Sequence, residues 1–313
     1  MAFYSKQHLA LALLISFFSL SCFGAATFES GSSSSKKNAD WMASLTDDTS
    51  LFTLAIPGSH DSGALSSIYD LAGKCQDASI GDQLLMGVRF LDIRLGENNG
   101  TLSVIHGFID EKQSAENVFA TCLGYLRDHP QEGLLVSVKN ERASSDNAVF
   151  EKALKNLISS FSGNAFRLSQ SLPTKLGEIR GKIVIFSRYA SSSIGIPCGE
   201  GWNDPEDASS ANSFDLPGNN PIHVQDHYKL KDNDSKWAEI ASAIEYSQQN
   251  PKALTLNFTS GYLVSSFPPS YSVSTAKAIN PKLLSSLPVS HPGVYVSDFV
   301  SEGLASALLE GNA

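Results

Sequence analysis

Cysteine is scarce in this sequence. There are four in 313 residues, Cys22, Cys75, Cys122 and Cys198, with no Cys-x-x-Cys pair and no Cys/His run at zinc-finger spacing. A structural zinc module of local design is therefore excluded. Basic charge is also short: 23 Lys and Arg stand against 32 Asp and Glu, for a net charge of −9. A surface of that sign suits neither the phosphate backbone of nucleic acids nor strong electrostatic attachment to anionic membranes. Internal repeats are absent, and the one biased tract is Ser32 to Ser35 followed by Lys36 and Lys37. Long apolar runs are lacking too, except Leu9 to Leu20. That run falls short of the roughly 20 residues a membrane span needs. It follows Lys6 and precedes the small residues Gly24, Ala25 and Ala26, the layout of a secretory signal. The expected organisation is a signal peptide over 1–25, a Ser/Lys linker over 26–37 and one folded domain over 38–313 of a secreted protein. Removing the signal leaves three cysteines. A Cys75–Cys122 disulfide is the preferred reading and three buried thiols the alternative.

Residues that are 42% hydrophobic and 18% charged make a packed core rather than a disordered chain. Short apolar runs read as buried strands at Leu51–Ile56, Val88–Ile93, Leu102–Ile105, Leu134–Val138, Ile183–Phe186, Ile222–Val224, Ala253–Leu256 and Val294–Val296. Helical periodicity lies between several of them: Ala115 to Leu126, Phe150 to Phe161 and Trp237 to Tyr246. Alternation of this kind marks a parallel sheet covered by helices. Single α/β barrels commonly run about 250 residues. The predicted fold is α/β, a single, distorted or incompletely closed (β/α)8 TIM barrel. Gly96 to Thr101 is too short for a helix, so the irregularity is expected there.

Polar residues crowd the C-terminal ends of these strands. They include His60 and Asp61, Asp92 and Arg94, His106, Lys139 and Glu141, Arg188, Asp226 and Tyr228, and Asp298. In barrels that rim carries the active site. Two histidines can serve as general base and general acid near neutrality. Carboxylates such as Asp61 and Asp298 can fix their tautomers. An arginine can neutralise charge on a phosphoryl centre. The set has the logic of phosphodiester cleavage by a neighbouring hydroxyl. His8, His129, His223, His227 and His291 read as surface or capping residues.

The segments Ile56-Pro57-Gly58-Ser59-His60-Asp61-Ser62-Gly63, Phe90-Leu91-Asp92-Ile93-Arg94, Ile105-His106-Gly107 and Ser137-Val138-Lys139-Asn140-Glu141 come in order along the chain. Arg180-Gly181-Lys182, Arg188-Tyr189, Val224-Gln225-Asp226-His227-Tyr228, Asn257-Phe258-Thr259-Ser260, Ile279-Asn280-Pro281 and Val296-Ser297-Asp298 follow. This ordered series resembles the X-domain motifs of bacterial phosphatidylinositol-specific phospholipase C. The resemblance implies His60 as general base held by Asp298, and His106 as general acid supported by Asp61. It implies Arg94 on the phosphate, Lys139, Arg188 and Asp226 on inositol hydroxyls, Tyr228 under the ring, and Glu141 and Asp92 in support. The implied products are diacylglycerol and inositol 1,2-cyclic phosphate.

No metal and no other cofactor is expected. The calcium-dependent relatives carry Asn after the first His and acidic groups where this chain has Arg94 and Lys139, and those cations disfavour a calcium ion. The expected partner is phosphatidylinositol in a membrane or micelle, met by a monomer through transient peripheral contact. Leu65, Ile68, Tyr69, Phe267, Pro268, Pro269 and Tyr271 are candidates for that contact. Alternatives are cleavage of glycosyl-phosphatidylinositol anchors, or a catalytically idle inositol-lipid-binding module.

Overall fold

The computed structural model describes residues 37–65, 73–142, 146–264 and 271–312. The expected signal peptide and nearly all of the expected linker lie outside them, as do Ile68, Tyr69, Phe267, Pro268 and Pro269. Among the described residues no helix is long and apolar enough to cross a membrane.

The framework is a curled sheet of parallel strands. These are β1 (Ala55–Ser59), β2 (Phe90–Asn98), β5 (Leu134–Asn140), β7 (Ile183–Arg188), β10 (Ile222–Gln225), β12 (Leu254–Phe258) and β14 (Gly293–Ser297). Their spatial order is β7-β5-β2-β1-β14-β12-β10. Beyond β7 stands β6 (Phe166–Arg167), and beyond β10 stands the antiparallel β9 (Ser213–Asp215). The short strands β11 (Lys229–Leu230) and β13 (Tyr262–Leu263) pair with each other outside this sheet. The two edges are not hydrogen-bonded to one another, so the barrel stays open between β7 and β10. The chain crosses that gap through β8 (Ile196–Pro197) and β9 without a helix, which leaves no βαβ unit to close the wall.

Two sequence expectations are corrected here. The run Leu102–Ile105 is not a barrel strand. It belongs to β3 (Thr101–His106), which pairs antiparallel with β2 and with β4 (Ile109–Ser114). The tight turn at Asn99-Gly100, both at positive φ, folds the chain straight back. The first strand is displaced as well: Leu51–Thr53 is a 3-10 turn capped by Ser50, and β1 runs into the Pro57-Gly58 pair. Gly58 is needed there because a Cβ would stand 3.1 Å from the Tyr295 carbonyl oxygen and 3.2 Å from the Phe90 Cβ.

Both faces of the sheet are buried, which explains the near-continuous apolar runs. Outward residues such as Leu91, Ile93, Val136 and Val138 pack on the helices Ala115–Asp128 and Asn147–Ser160 through Val118, Phe119, Phe150 and Leu154. Inward residues Ile56, Phe90, Leu135, Val184, Phe186, Val224, Leu256, Val294 and Val296 fill the barrel floor. Helix starts are set by side-chain caps: Ser114, Asp146, Asp232 and Ser301 each accept a backbone N–H of the first turn. At the N-terminal ends of the strands, Arg89 and Glu132 form a fully buried ion pair at 2.7 Å. Arg89 also donates to four carbonyls, including Asn38 and Ala39, and so ties the start of the domain to the sheet.

The expected Cys75–Cys122 disulfide is not formed. Cys75, Cys122 and Cys198 are free and buried. Cys122 sits in the outer core and Cys198 in the inner one, on opposite faces of the sheet, while Cys75 borders the cavity described next.

Candidate active site

Side chains two residues apart on a strand share a face. Stepping up each strand from an inward apolar residue therefore names the next inward side chain. Ile56 and Gly58 lead to His60, and Phe90 leads to Asp92 and Arg94. Leu135 and Ser137 lead to Lys139, Val184 and Phe186 to Arg188, Val224 to Asp226, and Val294 and Val296 to Asp298. His60, Arg94, Lys139, Arg188, Asp226 and Asp298 line one cavity of about 410 Å³ together with His106, Glu141, Tyr228, Asp204, Tyr262 and Tyr271. Asp92 and Asp61 lie just beneath, fully buried. Every catalytic and inositol-binding candidate from the sequence thus falls in or directly under one pocket at the C-terminal rim.

The turn holding His60 and Asp61 is stitched to β2. Asp61 N–H donates to the Asp92 carboxylate, Ser62 N–H to the Asp92 carbonyl, and Asp92 N–H to Ser62 Oγ. Asp61 adopts φ of 39°, the left-handed region that Asp tolerates better than most residues. Gln76, fully buried, donates to the carbonyls of His60 and Ser297 and accepts from Val300 N–H, locking this turn to the end of β14.

The tautomer of His60 follows from its neighbours. Arg94 can only donate, and its Nη2 stands 2.6 Å from His60 Nε2. Nε2 is therefore the acceptor, and Nδ1–H donates to Asp298 Oδ1 at 2.8 Å. Burial alone would lower the pKa of His60 and Arg94 lowers it further, but Asp298, with help from Asp92, prevails and leaves it above the usual value. His106 is fixed from the other side. Its Nδ1–H donates to the Gly73 carbonyl at 2.7 Å, which leaves Nε2 facing Asp61 Oδ2 at 3.6 Å.

Arg94 stands among three carboxylates, with Asp92 at 3.3 Å and Asp61 and Glu141 at 3.5 Å. Burial opposes its charge, yet these anions outweigh burial and hold its pKa well above the ordinary value. The Asp92 carboxyl is pulled below its ordinary range despite burial, chiefly by Arg94 and Arg188. Asp61 goes the other way, raised by burial. Lys139 is lowered by burial and by the nearby arginines, and pairs with Glu141 at 2.7 Å.

Across the cavity, Arg188 Nη2 donates to Asp226 Oδ2 at 2.9 Å, and its guanidinium lies 3.9 Å over the Trp202 ring. Trp202 Nε1–H also donates to Asp226, and Tyr228 O–H donates to Asp204. Sequence reasoning missed Trp202, Asp204, Tyr262, Gln76 and Cys75. Trp202 and Asp204 sit in the crossing between β7 and β10, which has no periodic pattern to place it. His227, taken from sequence as a surface or capping residue, is buried behind the rim and pairs with Glu239.

An open parallel barrel with two tautomer-fixed histidines around an arginine has the groups that acid–base chemistry on a phosphate ester would need. Comparison with known proteins narrows it. Residues 54–189 match the family model described as phosphatidylinositol-specific phospholipase C, X domain. The chain is 26% identical over 289 residues to a 1-phosphatidylinositol phosphodiesterase of Listeria monocytogenes, covering 87% of this chain and 84% of that one. It is 30% identical over 206 residues to the enzyme of that name from Staphylococcus aureus, covering 62% and 66%. The solved phosphatidylinositol-specific phospholipase C of Listeria monocytogenes superposes with a TM-score of 0.73 at 22% identity, over 88% of this chain and 99% of that one. A single-site variant of the Staphylococcus aureus enzyme gives 0.76 at 25% identity, over 90% and 99%. Residues 54–189 thus match the phosphatidylinositol-specific phospholipase C X domain, and the chain resembles bacterial enzymes of that name over most of its length.

Proposed function

We propose that this protein cleaves phosphatidylinositol to diacylglycerol and inositol 1,2-cyclic phosphate without a metal ion. The observation that carries the mechanism is the unprotonated Nε2 of His60, which accepts from Arg94 and shares a cavity with His106. His60 Nε2 takes the proton of the inositol 2-hydroxyl, and the 2-oxygen attacks phosphorus. The bond from phosphorus to the glycerol oxygen breaks, and His106 Nε2–H delivers the proton to that oxygen. Asp298 stabilises the imidazolium that forms on His60. Arg94 neutralises charge on the phosphoryl oxygens. In a slower second step water opens the cyclic ester with the two roles exchanged.

Inositol binding falls to the far wall. Buried Arg188 Nη1 makes no hydrogen bond among the described residues and has only the Asp92 carboxylate 3.8 Å away, so it is a donor that a substrate hydroxyl would satisfy. Lys139, Asp226 and Tyr228 complete that wall, with Glu141 and Asp92 holding the cations in place. Exposed Phe108, at the tip of the hairpin that carries His106, is an apolar contact for the lipid surface. The protein works as a monomer on that surface and is exported by the signal read at residues 1–25.

The test is incubation of purified protein with vesicles of phosphatidylinositol or of phosphatidylcholine, in a chelator. Water-soluble inositol phosphate released from the first alone is the expected result. Release from neither, or release that requires added calcium, refutes the proposal.

A further inference from the structure

Cys75 has no part in the acid–base scheme, yet it stands between its two halves. Its thiol forms one three-donor set with His60 and Asp298 and another with Asp61 and His106, the ligand atoms of each set lying within 4.8 Å of one another. Cys75 is 1% exposed and borders the cavity. Backbone hydrogen bonds fix it: Cys75 N–H donates to the Ala64 carbonyl and Phe299 N–H to the Cys75 carbonyl.

The two sets differ in what their donors are free to do. Both ring nitrogens of His60 are engaged, Nδ1 by Asp298 and Nε2 by Arg94. The other set has open valences. His106 spends Nδ1–H on the Gly73 carbonyl, so the neutral ring offers its Nε2 lone pair. That is the usual second contact of a metal-bound histidine. Asp61 is fully buried and, among the described residues, neither carboxylate oxygen accepts a hydrogen bond, although Arg94 Nε stands 3.5 Å from one of them. Asp92 and Glu141 remain to balance Arg94 if Asp61 turns to another cation.

We propose that Asp61, Cys75 and His106 bind one thiophilic divalent cation of the zinc class, and that the ion inhibits the enzyme by capturing His106. One thiolate, one imidazole and one carboxylate are ligands zinc accepts in tetrahedral geometry, at about 2.3, 2.0 and 2.1 Å respectively. Such bonds place donors about 3.3–3.8 Å apart, and His106 Nε2 and Asp61 Oδ2 already stand 3.6 Å apart. The fourth position opens on the cavity. Calcium and magnesium, which prefer all-oxygen sites, are excluded by the thiol. Binding releases the Cys75 proton to solvent and forms metal bonds to Sγ, Nε2 and a carboxylate oxygen. The Nε2 lone pair is then occupied, so His106 carries no proton for the leaving group.

The inhibitory half rests on the function proposed above, whereas binding does not, and cobalt(II) separates them. Titrating the wild-type protein with cobalt(II) is expected to give one equivalent of tetrahedral visible bands and a near-ultraviolet thiolate-to-cobalt band, both displaced by zinc. Cys75→Ser is expected to lose the near-ultraviolet band. Zinc is expected to inhibit phosphatidylinositol cleavage reversibly. Half-inhibition of Cys75→Ser, measured against its own zinc-free rate, is expected to need about tenfold more zinc or beyond. No cobalt bands from the wild-type protein, or a near-ultraviolet band that persists in Cys75→Ser, overturns the site. Equal zinc sensitivity of wild type and Cys75→Ser overturns the inhibition. A protein with the cobalt spectrum and no lipase activity sinks the functional proposal while supporting the site.

Discussion

Replacing Asp298 by Asn tests how the base is tuned. Asp298 Oδ1 accepts from His60 Nδ1 at 2.8 Å, with Asp298 only 1% exposed. The amide keeps the shape and can still accept the hydrogen bond, but the negative charge is gone. A hydrogen bond to a charged group is worth about 1.5–3 kcal/mol. At 1.36 kcal/mol per pKa unit, His60 should fall by about one to two units. His60 must be neutral to take a proton, and in the wild type its pKa is raised above the ordinary value. Activity of the wild type should therefore fade as pH drops through that raised value. The assay is kcat/KM against pH, which reports the free enzyme. In Asp298→Asn the acidic limb should move down by about one to two units. The plateau should fall by roughly 10- to 150-fold, because the imidazolium of the transition state loses the same stabilisation. An acidic limb that stays in place while the plateau falls would show that Asp298 does not set the charge on His60.

Other perturbations have separate readouts. Glu132→Ala strands the buried Arg89 charge far from the pocket and should cost about 3–5 kcal/mol of stability in denaturant titration, with kcat/KM of the folded protein unchanged; a loss under about 1 kcal/mol would mean that Arg89 finds another partner. His106→Ala should slow cleavage of phosphatidylinositol by about 10²–10⁴-fold, and less so for a substrate with a good leaving group that needs no acid; equal losses on both would remove His106 from the acid role. Phe108→Ser should weaken partition onto neutral vesicles by about tenfold, since burying such a ring is worth about 1.5–3 kcal/mol, and should leave turnover of a soluble substrate intact. Partition equal to wild type would clear Phe108 of membrane contact.

Much of the site was legible because of strand geometry. Arg94, Lys139, Arg188, Asp226 and Asp298 each follow an apolar run by one or two residues. On a strand that places them on the inward face at the rim, whatever the packing elsewhere. The barrel itself was less legible. The Leu102–Ile105 run looks like any buried strand, since β3 is buried on one side by Val104 against the outer core. Only the length of the Gly96–Thr101 connection hinted at a hairpin. The true first strand was hidden because Pro57, Gly58 and Ser59 are not apolar, although all three are buried. The seam between β7 and β10 could not be read, because its loops are held by tertiary contacts such as Trp202 to Asp226 rather than by any periodicity. The cysteine pairing failed for a similar reason, since spacing along the chain says nothing about which face of the sheet a thiol occupies.

The central claim is that the substrate's own 2-hydroxyl attacks phosphorus, with His60 as base and His106 as acid. Phosphorus NMR of phosphatidylinositol cleavage in oxygen-18 water measures this directly. The account predicts that inositol 1,2-cyclic phosphate appears first, carrying no solvent oxygen, and that inositol 1-phosphate with one labelled oxygen follows more slowly. Labelled inositol 1-phosphate as the first product, with no cyclic ester before it, would contradict it.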